Sequence, residues 1–226
     1  MKEAWARASR QRRLLFDSLL LGVVGAMSAQ LFTFLLHLAQ AALLLGIAHY
    51  QAPALPEEGG ILQAVTGRFG LWLVPLATTL GGLISGLLVF TLAPEAEGHG
   101  TDAVVSAFHH AGGKLRARVV PLKMLASAIT IGSGGSAGRE GPTALISAGV
   151  GSAYGQLGAR TEQDRRLLLL VGAAAGLSAI FRSPIGSALF VVEVLYGDME
   201  FEAGGLLYAM LSSIVAFAVN GFFVGY

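Results

Sequence analysis

The chain has 226 residues, 54% of them hydrophobic and only 13% charged, with 15 basic against 14 acidic side chains. A soluble domain carries roughly 25% charge, so this composition excludes a soluble globular enzyme, a disordered tail and a nucleic-acid-binding module, and a net charge of +1 offers no field to recruit nucleic acid. The lack of cysteine excludes a disulfide framework, a thiolate metal site and a cysteine nucleophile. Glycine is abundant, 31 residues, about twice the ~7% average. With this hydrophobicity and no Gly-X-Y period, it points to helices packed closely within a bilayer.

Lys2, Arg7, Arg10, Arg12 and Arg13 precede the first apolar run and place residues 1–13, a basic N-terminus, in the cytoplasm. No Asp, Glu, Lys or Arg lies between Asp17 and Glu57. The pattern predicts one long helix over about 14–50. At 1.5 Å per residue it would be ~55 Å long, against a hydrocarbon core of ~30 Å, so it tilts or protrudes. It is too long for a cleavable signal peptide. Glu57 and Glu58 against Arg68 fit an external loop, and Lys114, Arg116 and Arg118 an internal one. Residues 69–94 and 203–226 are two further charge-free runs. Between them, the runs 124–138, 141–159, 167–181 and 183–192 are mostly too short to cross alone. Glycine and proline break them, as in discontinuous helices that line a protein-enclosed cavity. The predicted class is all-α, a polytopic membrane protein with tilted and broken transmembrane helices.

The segment 132–143, Gly-Ser-Gly-Gly-Ser-Ala-Gly-Arg-Glu-Gly-Pro-Thr, carries the most chemistry. Glycines end one apolar stretch, and Pro142 stands where the first turn of a helix begins. The free amides of a helix start carry partial positive charge and form an anion site without a full cation. Glu140 stands at this start, and its carboxylate can itself occupy the site. Protonation removes that attraction and lets the side chain swing away, so one residue would both gate a path and carry a proton. Gly132-x-Gly134-x-x-Ala137 formally matches a dinucleotide fingerprint, but no strand–helix alternation surrounds it. Adjacent Arg139 and Glu140 in an apolar region favour a functional over a purely structural turn, because intramembrane charge is expensive.

Gly98-His99-Gly100-Thr101 forms a second turn, before a modestly amphipathic helix over 102–110 with Thr101 or Asp102 available as its cap. His99 reads either as a solvated loop histidine or as a donor to an anion. Gly172, Gly176 and Ala179 give a close-contact helix face, and Ser183-Pro184 ends that helix and starts the next. Glu193, late in that next helix, reads either as a polar lining residue or as an interface charge near Asp198 and Glu200. The chain lacks the paired Asp, Ser-His or His-Glu-x-x-His pattern of an intramembrane protease, and adjacent His109-His110 does not form a helical zinc pair. The expectation is neither enzyme nor metal site.

The block 138–143 resembles the GREGP motif of CLC chloride channels and chloride/proton antiporters. Residues 172–181, with Pro184 and Leu189-Phe190-Val191-Val192-Glu193, resemble the next helix pair of that family. Pro121-Leu122-Lys123 resembles a Pro-x-Lys element, so Lys123 would direct positive potential toward the path. Residues 98–101 fall where the family has a Gly-Ser-Gly-Ile-Pro turn. The resemblance covers about 70–195. It implies one half of an inverted-repeat fold, with 14–226 as the transmembrane domain, and a homodimer with one pathway per subunit. The implied cargo is chloride, with protons, and no cofactor. His99, Gly100, Thr101, Arg139 and Gly141 would surround the anion, and Glu140 would be the gate.

His99 replaces the family's anion-coordinating serine, and the following proline is missing. That substitution keeps a fluoride or other anion/proton antiporter as the second reading. Aligning Glu193 with the first of two family glutamates leaves Val194 at the second, which leans slightly toward passive conduction. The later Gly-x-Phe-x-Pro turn and pore-facing tyrosine are absent. The expectation is therefore a truncated chain ending at Tyr226, which needs a C-terminal half in cis or on a second chain. A non-conducting membrane assembly or sensor subunit, with Glu140 as a structural cap, is the alternative from another class. The expected location is the plasma (inner) membrane, in contact with lipid and without nucleic acid.

Overall fold

A computed structural model describes residues 2–51, 53, 64–67, 71–197 and 203–225. Glu57, Glu58, Arg68, Asp198, Glu200 and Tyr226, used above for topology, lie outside the described residues. Helix α1 spans Lys2–Gln40 and continues through a π-helical segment, Ala41–Leu45, into the short α2, Gly46–Ala48. The helix begins within the basic segment rather than after it. An antiparallel pair of two-residue strands, β1 (Tyr50–Gln51) and β2 (Val65–Thr66), pairs Tyr50 with Thr66. There follow α3 (Val74–Leu92), α4 (Thr101–His110), α5 (Val119–Gly132), α6 (Glu140–Leu157), α7 (Glu162–Phe181), α8 (Pro184–Tyr196) and α9 (Ala203–Val224).

Among the described residues, three helical segments are long and apolar enough to cross a membrane: Ala8–Ala48, Val74–Leu92 and Gly204–Val224. The first, with 41 residues, is about 61 Å long, twice the ~30 Å core. The predicted charge-free runs thus correspond to helices, and the predicted breaks to helix ends.

Helices α6 and α7 form the centre. Residues 141–149 and 168–179 are buried without interruption, as expected of helices that are apolar all round. Helices α1, α8 and α9 pack around α7, and α5 joins α6, α1 and α3. Lipid tails are as apolar as leucine, so close contact and interhelical hydrogen bonds hold such a bundle. Glycines permit the contact. A Cβ on Gly151 would strike the Leu168 carbonyl oxygen, and one on Gly172 the Ser147 carbonyl oxygen. Hydroxyls join α7 to α9: Ser178 Oγ donates to Ser213 O (2.7 Å), Ser212 Oγ to Val171 O (3.0 Å) and Ser213 Oγ to Ala174 O (3.1 Å). Gly151→Ala therefore forces two backbones apart and lowers stability by about 1–3 kcal/mol or more. Gly82→Ala, where a Cβ meets nothing within 4 Å, leaves it nearly unchanged. Thermal unfolding of the two variants in detergent checks the contrast.

Charge gathers at one end of the bundle. Asp17, 1% exposed, accepts from Arg160 Nη2 (2.9 and 3.1 Å) and Tyr154 Oη (2.7 Å). Asp164, equally buried, accepts from Arg10 Nε (2.7 Å) and Arg13 Nη2 (3.4 Å). Arg165 Nε donates to Gly112 O (3.3 Å) and Arg166 Nη2 to His109 O (3.3 Å). The basic start of α1, the 158–166 loop region and the end of α4 therefore share one face. Helix α4 has 10 residues, about 15 Å of helix between that end, at His109, and its start at Thr101.

Candidate anion-binding site

Three helix starts meet around one cavity. Helix α5 ends at Gly132, and the chain turns through Gly134, φ +98°, before α6 begins at Glu140. Pro142 takes the third helical position. Thr143 donates its amide (3.1 Å) and its hydroxyl (2.7 Å) to Arg139 O, closing the first turn. Glu140 is half-buried. Its carboxylate lies over Gly138, where a Cβ would collide with Oε2.

The second start is α4. Gly98 (φ +74°) and Gly100 (φ +113°) adopt backbone conformations that L side chains rarely reach. Gly100 stands at the cap, and no side-chain cap bond forms. The expected cap from Thr101 or Asp102 is thus not the one used, because the Thr101 hydroxyl turns to His99 Nδ1 at 3.1 Å. A Cβ on Gly100 would lie 2.8 Å from Gly141 O, and one on Gly141 would run into the His99 ring. The two helix starts are consequently in backbone contact, which glycine at both positions permits.

The third start is α8. Arg182, left-handed at φ +53°, reverses the chain after α7, and Ser183-Pro184 opens α8. Together these elements border a half-open cavity of about 370 Å³ lined by His99, Thr101, Glu140, Gly141, Ser183 and Ser187, with Ala144, Leu177, Phe181 and Phe190 as apolar wall. First-turn amides have no partner within their own helix and carry the positive end of its dipole. Low-polarity walls strengthen that field. The arrangement suits a small anion stripped of water.

His99, Gly100, Thr101, Glu140 and Gly141 thus come together, with Arg139 immediately before α6. Lys123 lies elsewhere. It is 4% exposed, and its Nζ donates to Ala96 O (3.0 Å) and Gly98 O (2.6 Å). It braces the turn that carries His99 and lines a second cavity of about 340 Å³ with Ser85, Thr130 and Gly138, which His99 also borders. Glu193 is exposed in the last turn of α8 and borders neither of these cavities. Ser187, Leu177 and Phe190 were not anticipated as lining residues. For Ser187 the usable signal was its place one turn after Pro184, at a helix start.

A family model described as voltage gated chloride channel matches residues 81–226. The chain belongs to this family, the CLC proteins. The H(+)/Cl(-) exchange transporter ClcA of Salmonella arizonae and that of Salmonella paratyphi B are each 32% identical over 189 residues, 79% of this chain and 40% of theirs. Among solved structures, a slow cyanobacterial Cl-/H+ antiporter superposes with a TM-score of 0.70 at 20% identity, covering 93% of this chain and 46% of that one. A CLC-type fluoride/proton antiporter superposes at 0.71 with 23% identity, covering 94% and 47%. The CLC chain described here therefore has the family's all-α, multi-pass membrane fold, and it spans 40% of the length of those ClcA proteins.

Proposed function

We propose that this chain forms the N-terminal half of a chloride pathway in which Glu140 gates the anion site and carries a proton, exchanging the two ions. The observation that carries the reading is half-buried Glu140 at the start of α6, bordering a cavity with three helix starts around it. His99, Gly100, Thr101, Arg139 and Gly141 would surround the ion, and Lys123 would hold the α4 turn in place. Exchange is favoured over passive conduction because the ClcA relatives are named exchange transporters. Val194 beside Glu193 is the feature that favours passive conduction. A second reading, fluoride/proton exchange, draws on His99 in the serine position. A non-conducting assembly or sensor subunit would show no ion flux.

The reading places residues 1–13 in the cytoplasm and 14–226 in the transmembrane domain of a plasma-membrane homodimer. The site is completed by a C-terminal half in cis or on a second chain. The test is flux from liposomes holding the full-length protein. Chloride uptake that drives protons outward in fixed stoichiometry supports exchange, chloride flux without protons supports conduction, and no flux removes both.

His99 gives a further prediction. Its ring contacts Thr101 Oγ1 and crowds Gly141 at the start of α6, and a serine hydroxyl is smaller and reaches less far. Exchanging His99→Ser should alter the flux ratios of chloride, nitrate and fluoride. Identical ratios in the two proteins would remove His99 from the site.

A further inference from the structure

Ser187 sits one turn into α8, is 3% exposed, and has an Oγ with no hydrogen-bond partner. Among the described residues no other buried hydroxyl is left in this way. Ser18, Thr33, Thr78 and Thr143 each donate to the carbonyl four residues back, at 2.7 to 3.0 Å. In α8 the corresponding carbonyl, Ser183 O, receives the Ser187 amide at 2.9 Å, but not its hydroxyl. Ser187 borders the 370 Å³ cavity with Glu140 and Thr101, where the neighbouring wall is apolar Phe190 and Leu177. A buried hydroxyl left without a partner is costly, and in native proteins such a group calls for an explanation.

We propose that Ser187 is an additional anion ligand, donating its hydroxyl to the chloride held in this cavity. The proposal rests on the chloride reading above and adds a residue to it. The hydroxyl lies near the start of α8, so an anion there feels both that helix's dipole and a direct O–H donor. Donation to a charged acceptor is the stronger kind of hydrogen bond. It also gives the orphaned group a partner when the ion is bound.

The test is chloride titration by calorimetry on purified full-length protein in detergent, in a buffer with tartrate as counter-anion. Ser187→Ala should bind chloride about tenfold more weakly, while Ser187→Thr, which keeps the hydroxyl, should stay near the wild type. Without chloride, Ser187→Ala should melt no lower than the wild type, because it removes an unpartnered buried group; this separates lost binding from lost folding. If Ser187→Ala fails to purify, the near-isosteric Ser187→Cys, a weaker donor, should bind with reduced affinity. Wild-type affinity in the Ala variant, or in the Cys variant if Ala fails, overturns the role of Ser187 and leaves the chloride reading intact. A wild-type protein that binds no chloride overturns both.

Discussion

Glu140→Gln in the full-length protein is expected to eliminate chloride-driven proton movement while chloride still passes. Glutamine keeps the shape of the side chain but cannot take up or release a proton near neutral pH. It also lacks the negative charge by which, on the proposal above, Glu140 competes for the anion site. Glu140 is half-buried, its carboxylate lies over Gly138, and it stands at the start of α6, where the helix dipole favours negative charge. If Glu140 is the gate proposed above, Glu140→Ala removes it altogether, and chloride flux should persist without proton coupling. Proton-electrode and chloride-electrode traces from the same liposomes read both quantities. Proton transport that persists in Glu140→Gln would remove this carboxylate from the proton route.

Asp17→Asn is expected to have the largest effect on stability. The Asp17 carboxylate is 1% exposed and receives Arg160 and Tyr154. Neutralising it leaves the Arg160 guanidinium, 12% exposed, without its anion. Breaking a buried pair from one side costs about 3–5 kcal/mol. The double substitution Asp17→Asn with Arg160→Gln should recover part of that loss, because no charge is then stranded. Thermal unfolding of the two single variants and the double variant measures the coupling. A single variant as stable as the wild type would show that the pair does not hold α1 to the region between α6 and α7.

The parts of the fold legible from sequence are those with a local cause. Charge-free length marks α1, α3 and α9. Glycine and proline mark where α4, α6 and α8 start, since helix punctuation is a property of adjacent residues. Glu140 was legible for the same reason: it stands beside its own glycine turn. What escaped depends on residues far apart in the chain. Asp17 marks only the edge of an apolar run in the sequence, and its partner Arg160 is 143 positions away. Lys123 donates to two carbonyls of the 96–98 turn, 27 and 25 positions away, a contact its own segment does not announce. Thr101 is the local exception: it has the chemistry of a cap, but its hydroxyl meets the His99 ring two residues away. Ser187 is an ordinary helical serine until packing seals it in and leaves its oxygen without a partner.

Bromide scatters anomalously and substitutes for chloride, so diffraction from bromide-soaked crystals of the full-length protein tests the anion site most directly. The arrangement predicts a bromide peak in the cavity bordered by His99, Thr101, Glu140 and Gly141. Bromide bound only elsewhere, with the Glu140 carboxylate facing lipid or bulk water, would contradict it.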